Sequence, residues 1–90
     1  MNNSPHILPH VFTTQVRVAL NDNGFTDEKL DRLEGFFAPY LNRADTTTRY
    51  PGIYADELDQ TMAYLRSHVD ATHLDAHEIE LVDAELRRHL

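Results

Sequence analysis

The sequence predicts an all-α fold, a compact bundle of four short amphipathic helices at about residues 9–22, 27–42, 54–69 and 76–89. Three observations carry that expectation. Apolar residues recur every three or four positions through four stretches of the ninety-residue chain, the period of a helix with one buried face. Cap and turn residues separate those stretches. Only one stretch has any strand character, and a lone strand has nothing to pair with.

That stretch is the first. Leu8, Phe12, Val16 and Ala19 fit a helical stripe, and Pro9 suits a first turn, where its missing N–H is no loss. Val11, Thr13, Val16 and Val18 are β-branched, and Val16, Val18 and Leu20 alternate as in a strand. The absence of a second strand candidate favours helix, with residues 1–6 expected to fray. Asn21-Asp22-Asn23-Gly24 reads as a stop, with Gly24 free to take the left-handed conformation that ends helices. It is not a calcium loop: with Gly24 in the glycine position, Ala19 and Leu30 would fall where acidic ligands are required.

The second helix begins at Thr26 as cap, with Asp27 and Glu28 on the positive end of the dipole and Phe25 placed to staple onto Leu30. Leu30, Leu33, Phe37 and Tyr40 or Leu41 form its stripe. Pro39 opposes the carbonyl of Gly35 and predicts a kink or break. Residues 42–53 read as loop and turn around Tyr50-Pro51-Gly52. The third helix then carries Tyr54, Leu58, Met62, Leu65 and Val69 on one face. The fourth has the clearest start: Asp75 and Glu78 make a capping box, Leu74 and Ile79 occupy the staple positions, and Ile79, Val82, Leu86 and Leu90 form the stripe.

Composition narrows the function classes. One domain with a single modest core is expected, and a dimer would help its stability. There is no cysteine, so thiolate metal sites, thiol nucleophiles and disulfides are excluded. No apolar run approaches a membrane span and the N-terminus lacks a signal-peptide pattern, so the expectation is a soluble, cytoplasmic protein. Net charge is −7, and the first twenty residues contain no acid; Arg17 is their one charge. Nucleic acid would be repelled by the rest of the surface.

Six histidines are the most conspicuous chemistry. His73 and His77 stand four apart among carboxylates, a zinc-like spacing if both were helical, but the capping signal at Asp75 leaves His73 outside the helix. His6 and His10 straddle Pro9. Ser4 and Ser67 sit in no nucleophile motif, and Lys29 suits a surface ion pair. No catalytic, metal or cofactor site is assigned, and no enzyme activity is expected.

The run GFTDEKLDRLEGFFAPYLNR, followed by RYPG, resembles the leading helix of serine β-lactamase and esterase-type proteins over about a quarter of the chain. The S-x-x-K motif of that family is absent, and the chain returns to helix after Gly52. An acidic four-helix domain of this length also resembles an acyl carrier protein, but neither serine provides the helix-start site for a phosphopantetheine arm.

What remains is a binding surface. Helix one has a nearly uncharged polar face, marking Phe12 and Arg17, and the loop bearing Arg49, Tyr50 and Tyr54 sets aromatics beside arginine, a composition favoured at interfaces. The expected function is a small non-catalytic interaction or regulatory domain that binds another protein or its own copy, as a homodimer. A His/carboxylate metal-binding domain and an accessory subunit of an enzyme complex are the alternatives.

Overall fold

A computed structural model describes residues 5–44 and 49–90. The architecture is all-α, as expected, with one addition. Strand β1 (His6–Ile7) leads into helix α1, residues 9–22; α2 (Asp27–Leu41) follows, then strand β2 (Ile53–Tyr54), α3 (Ala55–Ser67), α4 (Val69–Thr72) and α5 (Ala76–Arg87). The Cα radius of gyration, 12.7 Å, is close to the ~12 Å of a compact chain this long.

Helix α1 is α-helical at both ends and π-helical over Phe12–Val16, where the Arg17 N–H donates to the Phe12 carbonyl five residues back. The Thr13 and Thr14 hydroxyls both donate to the His10 carbonyl, at 3.3 and 2.5 Å, and so compete for the acceptor of an ordinary α-helical bond. The buried side chains are Phe12, Val16 and Leu20, each four residues apart. In an α-helix a four-residue step overshoots one turn by about 40°; the wider π turn takes back that drift and keeps the three in line. Leu8, which the spacing places in the stripe, is instead 41% exposed. The helix ends as Gly24 predicts. Gly24 has φ +98°, its N–H donates to Asn21, and the Phe25 N–H donates to Leu20, the paired bonds of a left-handed C-terminal cap.

Helix α2 is capped by Thr26, whose Oγ1 accepts from the Lys29 N–H at 3.2 Å. It does not break at Pro39 but continues to Leu41, closing with an Asn42 N–H bond to Ala38. Pro39 costs one bond near the end of the helix, and the residue its ring opposes, Gly35, carries no side chain.

The expectation that no second strand exists is corrected: His6 and Ile7 pair antiparallel with Tyr54 and Ile53. Of the residues expected to fray, His6 lies in this ribbon and residues 1–4 lie outside the described residues. Two residues per strand hold because Ile7 and Ile53 are core side chains, 1% and 0% exposed, so burial secures what four residues of backbone could not. Gly52 permits the approach. Its φ is +138°, and a Cβ there would lie 2.5 Å from the Ile7 carbonyl oxygen.

The third predicted helix starts one residue late, with Tyr54 as its cap, and is interrupted at His68 before the single turn α4. His73, at φ +59°, turns the chain into α5. There Asp75 and Glu78 bond reciprocally, Glu78 N–H to Asp75 at 2.7 Å and Asp75 N–H to Glu78 at 3.1 Å. The helices close over one core in which Phe12 and Phe37 meet at 5.8 Å and Leu58, Met62, Val82 and Leu86 are fully buried.

Candidate functional site

Most of the residues that the sequence marks as an interaction surface are used inside the fold. Phe12 is 0% exposed, so it is a core side chain and presents nothing to a partner. Its place on α1 follows from the four-residue stripe, which turns it inward. Arg17 reaches across to α2 and pairs with Asp31 and Glu34, both at 2.9 Å. The one cation of the first twenty residues is thus neutralised by carboxylates of the neighbouring helix.

Arg49, Tyr50 and Tyr54 are brought together, but as a joint. Tyr54 is 3% exposed. His6 stacks on its ring at 4.5 Å, the Arg49 guanidinium lies 4.7 Å from the ring centre, and the Tyr54 hydroxyl accepts from the Tyr50 N–H at 3.2 Å. Arg43 anchors the group by donating to both Glu57 oxygens and to the Gly52 carbonyl. Burial pushes the Glu57 carboxyl up, but hydrogen bonds from Arg43 and the Tyr54 N–H, with the charge of Arg43, outweigh it and hold the group below its usual range. Arg49 also bonds Asp56 at 2.8 Å, a contact that lowers that carboxyl too. Tyr50, 39% exposed, is the part of the cluster nearest to a free surface.

All eight lysines and arginines are held in ion pairs within the chain: Arg17 as above, Lys29 with Glu78, Arg32 with Glu28, Arg43 and Arg49 with Glu57, Arg66 with Glu80, Arg87 with Asp59, and Arg88 with Glu85. Fifteen acids face eight bases, so the uncompensated charge is entirely negative.

A concave feature that sequence spacing missed lies between α2 and α3. Phe36, Tyr40, Gln60, Thr61 and Tyr64 line an open groove of about 310 Å³. Tyr64 is 45% exposed and meets Phe36 at 6.0 Å between ring centres, while His68 stacks on the Tyr64 ring at 4.2 Å. The signal was present: Phe36 and Tyr40 lie four apart, one residue off the buried pair Phe37 and Leu41, as do Gln60 and Tyr64 on α3. A second aromatic row beside a core stripe widens the apolar face past what the core covers.

Other chemistry is thin. Ser67 contacts His68 Nδ1 at 2.9 Å, but the same ring nitrogen lies 3.0 Å from the Tyr64 carbonyl, an acceptor that calls for the protonated nitrogen and leaves it no base for the serine. His73 lies outside α5 and His77 in its first turn. Among the described residues no group of three or more His, Asp or Glu side chains could hold a metal ion, and no helix is long and apolar enough to cross a membrane. No protein-family model, no curated protein and no solved structure matches the chain.

Proposed function

We propose that this chain is a small non-catalytic interaction domain that acts by binding another protein through the groove between α2 and α3. One observation carries the reading: an open groove lined by three aromatic side chains, Phe36, Tyr40 and Tyr64, with Tyr64 45% exposed. Aromatic side chains lose little conformational freedom on binding and dominate interface energetics, so such a row is expensive to leave in water and effective when covered. A groove this shallow, without a cluster of catalytic groups, suits a protein side chain better than a substrate to be enclosed. The internal pairing of every lysine and arginine weighs against a phosphate backbone as partner.

Photo-crosslinking in the source cells tests the reading. A benzophenone amino acid in place of Tyr64 is expected to form a discrete adduct with another protein, while the same group in place of Val18, 60% exposed on α1, forms none. Equal or absent adducts at both positions would overturn it. An adduct of two copies of this chain would identify the partner as its own copy.

A further inference from the structure

We propose that His68 is a phosphoryl-acceptor site, whose Nε2 takes the group from a donor with phosphorus bound to nitrogen, a phosphoramidate or another phosphohistidine. The residue follows the end of α3, in an open concavity of about 390 Å³ bordered also by Arg66, Ser67 and Asp70. Its Nδ1 lies 3.0 Å from the Tyr64 carbonyl and 2.9 Å from Ser67 Oγ. A carbonyl only accepts, and the serine hydroxyl already donates to the Ala63 and Tyr64 carbonyls, so the ring proton is on Nδ1. The assignment that denies the serine a base therefore puts the lone pair on Nε2. His68 is exposed, and among the described residues its Nε2 has no hydrogen-bond partner. The other five histidines lack this combination. His6 Nε2 is buried, and His89 Nε2 is turned onto Glu85 at 2.9 Å. His10, His73 and His77 are exposed, but no hydrogen bond among the described residues fixes which of their nitrogens carries the proton.

The surroundings suit the charges of the transfer. As Nε2 bonds to phosphorus, positive charge builds on the imidazole. The Tyr64 carbonyl meets that charge at Nδ1–H, and the Tyr64 ring, stacked at 4.2 Å between centres and 16° between planes, meets it through its π-face. Arg66 borders the same concavity and offers a charge to the phosphoryl oxygens. Its Nε and Nη2 are held by Glu80 and Asp83, while Nη1 has no ion pair among the described residues. In the transfer itself, the Nε2 lone pair forms the new N–P bond and the donor's N–P bond breaks. The donor nitrogen leaves with that electron pair and takes up a proton from water, while Nδ1 keeps its own. One N–P bond replaces another, so the site has to supply an oriented nucleophile and no external driving force.

The test incubates the protein with potassium phosphoramidate near neutral pH, following each histidine by fragment mass spectrometry and the atom of attachment by phosphorus-coupled proton NMR. His68 is expected to be phosphorylated on Nε2, and about tenfold or more faster than the likewise exposed His10, His73 and His77. Tyr64→Leu keeps the carbonyl and removes the ring, and Arg66→Gln removes the charge. Each should slow His68 by about threefold or more, with the circular dichroism spectrum and the rates at the other histidines unchanged. Both positions are exposed, so the variants keep the fold. A rate at His68 no greater than at those three histidines, which is the reactivity of any surface imidazole, would overturn the proposal. So would attachment at Nδ1, or an unchanged His68 rate in both variants.

Discussion

Arg43 grips Glu57 with both terminal nitrogens, Nη2 to Oε1 at 2.6 Å and Nη1 to Oε2 at 2.9 Å. Arg43 follows the end of α2, and Glu57 stands in the first turn of α3. The pair therefore ties together, at one end, the two helices that form the groove. Its side chains are only 16% and 10% exposed, so removing one partner strands a charge that water reaches poorly. Glu57→Ala is expected to destabilise the fold by about 3 kcal/mol, measured by urea denaturation. A loss below about 0.5 kcal/mol would mean that the contact is no stronger than an ordinary surface pair.

The same carboxyl makes stability depend on pH. Its pKa in the folded protein is lowered from the ordinary 4.5, so the unfolded chain takes up a proton first as pH falls. The stabilisation is complete above about pH 4.5 and is lost as pH drops through the folded value. Urea midpoints measured between pH 7 and pH 3 should decline for the native chain below that point and decline less for Glu57→Gln. Parallel curves would exclude Glu57 as a source of the acid sensitivity.

Gly52 holds the ribbon. Both of its backbone groups are used, the N–H donating to the Tyr40 carbonyl at 2.9 Å and the carbonyl accepting from Arg43. A methyl group at φ +138° would collide with the Ile7 carbonyl. Gly52→Ala is expected to cost about 2 kcal/mol or more and to raise hydrogen exchange at the amides that pair β1 with β2. Unchanged exchange there would show that the ribbon tolerates a wider spacing.

Phe12→Ala should cost about 3–5 kcal/mol, the range for a large buried aromatic. Phe12→Glu should abolish the cooperative thermal transition seen by circular dichroism, because the charge would enter the core beside Phe37. A well-folded Phe12→Glu with an altered mass in solution would instead restore Phe12 to an interface.

The helix starts were legible because their signals are local. Thr26 and Asp75 cap their helices through atoms three residues away, and Gly24 ends α1 through bonds within one turn. Removing either cap, as Thr26→Ala or Asp75→Ala, should cost about 1 kcal/mol in denaturation experiments. The groove was less legible. Phe36 and Tyr40 read as the margin of a core stripe until the packing of α3 left Tyr64 beside them at the surface.

An all-α fold, the capped starts of its helices and its acidic balance follow from sequence alone, since periodicity, capping and charge are properties of neighbours along the chain. The ribbon joining His6–Ile7 to Ile53–Tyr54 and the long-range ion pairs of Arg17, Lys29, Arg43, Arg66 and Arg87 come only from tertiary structure. Each joins partners 14 or more residues apart, whereas Arg32–Glu28 and Arg88–Glu85 are local pairs three or four residues apart. Spacing along the chain identifies residues able to form a surface; packing decides which of them remain outside.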